Sequence, residues 1–191
     1  MPDDASLIVC AIAGSLRKAS YNRALLRVAQ ELAPPDMEIR IFDRVGEIPP
    51  YNEDVEKQGD PEPVQALKRA IAEADALLLA TPEYNQGVPG LLKNAIDWAS
   101  RPARRSVLAK KPTAIFGASI ASTGSARAQS QLRQDLVFSD VPVLVQPEIL
   151  VYRAQEKFDA ELRLTDDKTR EYIGKLLAGL ADWTRRLTRP L

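Results

Sequence analysis

Short apolar runs alternate with amphipathic segments along this sequence, and this alternation is the feature that most constrains its fold. The apolar runs predict buried strands at residues 6–13, 37–42, 75–81, 111–119 and 141–151. Pro147 is expected to split the last of these runs. The other segments repeat their apolar residues at helical spacing, which predicts helices at 21–33, 63–74, 89–98, 125–138 and 167–187. No repeat, low-complexity tract or linker interrupts the series, so residues 1–191 are predicted to form a single domain.

A series of strands joined through helices favours an α/β fold, because right-handed crossovers generate a parallel sheet with helices on both faces. Five strands suit the flavodoxin-like order 2-1-3-4-5. In that fold a ligand binds beyond the carboxyl ends of the strands, at the switch point between strands 1 and 3. The loops at that edge begin at residues 14, 82 and 118, and a site is predicted there.

The chain contains no histidine, which excludes Ser-His-Asp and Cys-His catalysis and all histidine-based metal sites. No metal site is expected, and any difficult chemistry is expected to belong to a cofactor. The single cysteine, Cys10, lies in the first apolar run and is predicted to be a buried, unpaired side chain.

Charge and hydropathy narrow the possible partners and location. Lys plus Arg and Asp plus Glu each total 26, so the net charge is zero. A balanced chain has no electrostatic reason to bind nucleic acid or an anionic membrane, and it lacks the acidity of a one-electron carrier. No apolar stretch approaches the roughly 20 residues that span a bilayer. The N-terminal "MPDDAS" lacks a signal-peptide pattern, so a cytoplasmic protein is expected.

The first loop, "GSLRKASYN" at residues 14–22, follows the first strand and precedes the first helix. It lacks the glycines of both a Walker A loop and a dinucleotide fingerprint. Asp43, at the end of the second strand, imitates a ribose-binding acid but is weak evidence without those glycines. Hydroxyls, a guanidinium and helix N–H groups suit a terminal phosphate, and the candidates are Ser15, Arg17, Ser20 and Asn22. An ordinary turn with a serine cap is the alternative.

The second and third loops add two further features. "TPEYNQGVPG" (81–90) predicts a rigid turn that presents Glu83, Tyr84, Asn85 and backbone N–H groups to the edge of a flat heterocycle. "GASIASTGSARAQ" (117–129) has small residues that let a backbone approach a planar ligand closely. Each loop alone is also compatible with a turn or connector that binds nothing. Together, at one edge, the three loops predict a site for a mononucleotide with a flat ring, such as FMN.

Three motifs, "GSLRKASYNR", "TPEYNQGVPGLLKNAIDWASR" and "TGSARAQSQLRQDL", resemble the NADPH-dependent FMN reductase family, particularly its chromate and quinone reductases and related azoreductases. The resemblance covers about residues 7–151. It implies bound FMN, NADPH or NADH as co-substrate, a homodimer or homotetramer, and two-electron ping-pong reduction of quinones, azo compounds, chromate or free flavin. It implies no catalytic side chain, since the flavin carries the chemistry. The implied cofactor-binding residues are Ser15, Leu16, Arg17, Ser20, Asn22, Pro82, Glu83, Tyr84, Asn85, Gln86 and Ser119.

The resemblance also implies residues that contact substrate or a neighbouring subunit. Arg127 matches a family arginine near both the site and the subunit interface. The segment "PPYNEDVE" (49–56) resembles a family loop that reaches the neighbouring subunit, and it contains Tyr51, Asn52 and Asp54. Ser125 departs from the pattern, because glycine is expected more often at that position.

Several alternatives remain open from the sequence. Trp98 and its neighbours Leu91, Leu92 and Ile96 fit either the core or a dimer contact. The basic segment 101–111 is either a solvated loop or an attractor for the 2′-phosphate of NADPH. The functional alternatives are a flavin-binding electron carrier or redox sensor without efficient turnover, and a nucleotide enzyme that lacks flavin.

Overall fold

The computed structural model describes residues 6–188, and a five-stranded parallel sheet lies at its centre. The strands are β1 Leu7–Ala13, β2 Met37–Ile41, β3 Ala76–Ala80, β4 Thr113–Ala118 and β5 Ile149–Val151. Their order is β2-β1-β3-β4-β5, and each neighbouring pair is parallel, so the predicted flavodoxin-like fold is confirmed. Residues 1–5, on which most of the signal-peptide expectation rests, lie outside the described residues.

Helices follow the strands as the sequence predicts, with one addition. They are α1 Tyr21–Glu31, α2 Glu53–Glu56, α3 Glu62–Ala72, α4 Gly90–Ala99, α5 Ala126–Val137 and α6 Asp167–Thr188. The addition is α2, a single turn whose N-cap, Asn52, accepts a hydrogen bond from the Asp54 N–H at 2.9 Å. An element this short has no apolar periodicity, and the sequence therefore does not predict it.

Alternation along β1 divides the core into two apolar layers. Val9 and Ala11 face the layer that contains α1 and α6, whereas Cys10 and Ile12 face the layer that contains α3, α4 and α5. Both faces of the sheet are therefore covered, which explains why its inner strands are apolar throughout. Burial raises the pKa of the Cys10 thiol to about 12, although the positive charge of Lys111 lowers it slightly.

The structure decides between core and dimer contact for three of the apolar residues of α4, and it tests the expected split at Pro147. Trp98 and Leu92 are fully buried, and Ile96 is nearly so, within the α3–α4–α5 layer of a single chain, and they belong to the core. The apolar run before β5 is split as expected: Val143 forms an isolated bridge with Thr113, and regular pairing resumes only at Ile149, after Pro147. Within residues 6–188, no helix is long and apolar enough to cross a membrane.

Candidate functional site

The three predicted loops meet at the carboxyl ends of β1, β3 and β4, where they enclose a cleft of about 200 Å³. We call this the rim cleft. It is lined by Ser15, Arg17, Ser20, Tyr21, Asn22, Pro82, Glu83, Tyr84, Ala118, Ser119 and Ile120. Most of the predicted cofactor residues therefore line one cleft. Three of them, Leu16, Asn85 and Gln86, do not line the cleft.

One corner of the rim cleft brings together two serine hydroxyls, the start of α1 and an exposed arginine. Ser20 is the N-cap of α1, and its hydroxyl accepts a hydrogen bond from the Arg23 N–H at 3.3 Å. The buried Ser15 hydroxyl accepts from the Arg17 N–H at 3.4 Å. The first turn of α1 contains no acidic residue, and its leading N–H groups have no acceptor within the helix. The Arg17 side chain is exposed and pairs with no carboxylate in the part of the chain that the structure describes.

Asn22 ties the first loop to the third. Its Nδ2 donates to the Ala118 carbonyl at 2.9 Å, and its Oδ1 accepts from the Ala118 N–H at 2.9 Å. The side chain is almost fully buried. The amide that the sequence offers as a phosphate or ribityl ligand therefore serves as a bridge between the start of α1 and the end of β4.

Glu83 ties the second loop to the third in a similar way. Its carboxylate accepts from the backbone N–H of Arg127 at 2.9 Å and of Ala128 at 3.4 Å, at the start of α5. It also accepts from the Thr123 hydroxyl at 3.2 Å and from the Arg127 guanidinium at 3.4 Å. Only 7% of its side chain is exposed. The carboxylate predicted to contact a ring edge is thus engaged as the cap of α5.

The residue at the cap position of α5 explains why Glu83 is needed there. Ser125 has a φ of 72°, in the left-handed region, and its side chain makes no capping hydrogen bond. Its hydroxyl instead accepts from the Gln129 amide at 3.1 Å. The expectation that glycine suits this position agrees with the backbone, since a positive φ favours glycine.

The tip of the second loop is a tight turn at the mouth of the cleft. Tyr84 and Gly87 exchange backbone hydrogen bonds, and the intervening Asn85 and Gln86 both have positive φ, as in a type I′ turn. The side-chain oxygen of Gln131 in α5 accepts from the Val88 N–H at 2.9 Å and anchors the turn. The Tyr84 side chain stays 49% exposed at the mouth.

The back of the cleft is packed closely enough to require glycine at the end of β4. A Cβ on Gly117 would lie 2.2 Å from both the Thr81 carbonyl oxygen and the Ser125 hydroxyl oxygen. This close approach brings the ends of β3 and β4 and the third loop together. The result suits FMN: hydroxyls, N–H groups and a cation at one corner, and rigid loop backbone with an exposed tyrosine at the other.

The residues predicted to contact substrate or a second subunit fall into two places. Arg127 is exposed beside the rim cleft, next to Glu83. The 49–56 segment lies instead against α4: the Tyr51 ring packs edge-on to Trp98 with centroids 5.1 Å apart, and the Tyr51 N–H donates to Asn94 at 2.8 Å. The Tyr51 hydroxyl donates to Glu56 at 2.7 Å. Asn52 and Asp54 are exposed around α2.

Comparison with known proteins adds family information to this geometry. The family model described as NADPH-dependent FMN reductase matches residues 8–156. An NAD(P)H-dependent FMN reductase of Pseudomonas aeruginosa is 52% identical over 187 residues, which cover 98% of this chain and 99% of the relative. A 2-hydroxy-1,4-benzoquinone reductase of a Burkholderia species is 39% identical over 180 residues, which cover 94% and 97%. The solved structure of the flavoenzyme NAD(P)H:(acceptor) oxidoreductase FerB from Paracoccus denitrificans superimposes with a TM-score of 0.85 at 37% identity, covering 94% of this chain and 98% of FerB.

Proposed function

This chain belongs to the NADPH-dependent FMN reductase family, and from that membership we propose that it reduces quinones with FMN bound in the rim cleft. It is an oxidoreductase whose cofactor is FMN and whose electron donor is a nicotinamide dinucleotide. The observation that carries the proposed site is the meeting of three loops at the carboxyl ends of β1, β3 and β4. The proposed acceptor class is supported by the full-length similarity to the benzoquinone reductase.

The phosphate of FMN is proposed to bind at the corner of the rim cleft where α1 begins. Buried hydroxyls of Ser15 and Ser20 and the N–H groups that begin α1 supply hydrogen-bond donors, and Arg17 supplies the positive charge. The ring is proposed to lie toward Pro82, Tyr84 and Ser119, on the other side of the cleft. Asn22 and Glu83 act as positioning residues, since each holds two of the three loops at a set separation.

FMN, when bound, supplies the two-electron chemistry by which NAD(P)H and one proton convert a quinone to a hydroquinone. The protein supplies binding and orientation. The exposed mouth beside Tyr84 admits flat molecules one after another, which fits a ping-pong exchange of donor and acceptor. It also admits water, which can deliver the proton, so the lack of histidine is no obstacle.

We further propose that the protein is a cytoplasmic homodimer or homotetramer. Exposed apolar side chains on the surface support self-association, and the largest exposures are at Val137 (72%) and Phe138 (75%), at the end of α5. Arg127 stands at the mouth of the cleft, where a second copy would reach both the cleft and this arginine. Sedimentation as a monomer at micromolar concentration would contradict the oligomer.

Steady-state kinetics with a quinone test the function against its main alternative. Purified protein supplied with FMN should oxidise NADPH or NADH continuously when 2-hydroxy-1,4-benzoquinone is present. Double-reciprocal plots of initial rate against donor concentration, at several quinone concentrations, should give the parallel lines of a ping-pong mechanism. An electron carrier or redox sensor would take up electrons once and then stop. Azo compounds, chromate and free flavin in the same assay would rank the other acceptors.

The Arg17→Ala variant tests the proposed phosphate site. Loss of one charge-assisted hydrogen bond is worth about 1.5–3 kcal/mol, so the Kd for FMN should rise roughly tenfold to a hundredfold. Lys18→Ala is the matched control, because Lys18 is the next cation along the same exposed loop and does not line the rim cleft. Equal FMN affinity in the two variants would show that Arg17 does not bind the phosphate.

A further inference from the structure

A second cavity of about 280 Å³ lies next to the rim cleft, between α1 and the carboxyl end of β2. We call it the α1–β2 cavity. Ser15 contributes to the walls of both spaces, so the two are neighbours separated by the first loop. Of the other side chains that line this cavity, Leu16 alone is among the residues that the family resemblance implies for FMN.

One wall of the α1–β2 cavity is positively charged. Arg23 and Arg27 lie one turn apart on α1, and both line the cavity. Neither guanidinium pairs with a carboxylate within residues 6–188, whereas Arg170 and Arg185 of α6 pair with Glu31 and Asp36.

The surrounding sequence strengthens this charge. Residues 5–30 contain four cations, Arg17, Lys18, Arg23 and Arg27, and no Asp or Glu. Arginine binds phosphate through paired hydrogen bonds, so a phosphate is the group that this wall fits best.

The opposite wall combines apolar surface with one carboxylate. The end of β2 contributes the half-buried Ile41 and Phe42, and the buried Val45 and Leu26 complete the apolar lining from the following turn and from α1. Among residues 6–188, Asp43 is the only carboxylate that lines the cavity. Its carboxylate can accept hydrogen bonds from ribose hydroxyls, and the apolar surface can pack against a flat base. The two walls together match an adenosine phosphate.

We infer that the α1–β2 cavity binds the adenosine phosphate end of the nicotinamide dinucleotide, while its nicotinamide end passes over the first loop to the ring side of the rim cleft. This inference rests on the proposed function. It extends that function by assigning a binding site to the half of the electron donor that does not react. The phosphate is either the 2′-phosphate of NADPH or the pyrophosphate that NADPH and NADH share. The basic segment at 101–111, the alternative attractor, lines neither the cavity nor the cleft.

The Arg27→Ala variant tests the inference when it is assayed with two kinds of electron donor, the full dinucleotide and a truncated nicotinamide. We expect kcat/KM for the dinucleotide to fall about tenfold or more, since one charge-assisted contact is lost. A reduced N-alkylnicotinamide lacks adenosine and phosphate, and its kcat/KM should not change. Arg104→Ala, which removes an exposed arginine from the basic segment, should behave as the wild type. A loss confined to NADPH identifies the 2′-phosphate, and equal losses with NADPH and NADH identify the pyrophosphate.

The inference fails if Arg27→Ala and the Arg23→Ala/Arg27→Ala double variant both use the dinucleotides as well as the wild type does. It also fails if the truncated donor loses as much as the dinucleotides. A binding measurement separates this failure from failure of the proposed function. FMN-loaded wild type should bind adenosine 2′,5′-bisphosphate or adenosine 5′-diphosphate in calorimetry, and Arg27→Ala should bind the same probe about tenfold more weakly. Unchanged binding in the variant, or none in the wild type, overturns the inference whether or not the protein turns over quinones.

Discussion

Removal of the Glu83 carboxylate should destabilise the protein even when no FMN is present. The carboxylate caps α5 through two backbone N–H groups and also accepts from Thr123 and the Arg127 side chain. Loss of a helix cap costs about 1 kcal/mol, and a hydrogen bond to a charged group contributes about 1.5–3 kcal/mol. Because these contacts share one group and are not additive, we expect Glu83→Ala to lower the free energy of unfolding by about 2–3 kcal/mol.

Thermal unfolding of FMN-free protein, followed by circular dichroism, measures this effect. For a chain of this size, each kcal/mol lowers Tm by about 2–4 °C, so Glu83→Ala should unfold about 5–10 °C lower. Glu83→Gln keeps one carbonyl acceptor and should lose roughly half as much. Glu73→Ala and Glu73→Gln are the controls, since Glu73 is exposed at the end of α3, and both should match the wild type.

The same experiment distinguishes the observed role of Glu83 from the role that its sequence position predicts. If the side chain acted only as a ring ligand, its variants would lose FMN affinity and keep the stability of the FMN-free protein. A Tm for Glu83→Ala within about 1 °C of the wild type would therefore refute the capping role.

Two further predictions concern single side chains. Asp166 accepts from the Thr169 N–H at 2.8 Å at the start of α6, and hydrogen bonding from the Thr169 side chain holds the pKa of Asp166 below its usual value. Asp166→Ala should therefore lower the free energy of unfolding by about 1 kcal/mol at pH 7. Urea unfolding at several pH values should show the difference between variant and wild type shrinking as the pH falls through and below about 4, because the carboxylate of the wild type then becomes protonated. Ser125→Ala and Ser125→Gly both remove the hydroxyl, but only glycine relieves the positive φ, so the alanine variant should be less stable by about 1 kcal/mol; equal stabilities would contradict strain at this position.

The sheet and the meeting of its loops at one edge could be predicted because they depend on local signals. Apolar runs and their spacing identify each strand, and parallel pairing brings the carboxyl ends of the strands to one edge. The loops after β1, β3 and β4 are therefore expected at one edge of the sheet. The position of Arg17 and Ser20 before α1 predicts that both lie at this edge, and both line the rim cleft.

The contacts that join the loops could not be predicted, because they link residues far apart in the chain. The Asn22–Ala118 pair spans 96 residues, and Glu83 reaches 44 residues ahead to the N–H of Arg127. A carboxylate that follows a strand can be either a residue that binds a ligand or the cap of a distant helix, and its position in the sequence does not distinguish the two. The α1–β2 cavity could not be predicted for the same reason. Arg23 and Asp43 line one cavity only because β2 pairs with β1.

FMN is proposed to bind in the rim cleft as a resident cofactor that supports quinone reduction. Titration of FMN into FMN-free protein, with NADPH and a quinone present in excess, distinguishes a resident cofactor from a diffusing substrate. Activity should rise linearly and level off sharply at one FMN per chain. Activity without FMN, or activity that keeps rising well beyond that ratio, would show that FMN is not a resident cofactor.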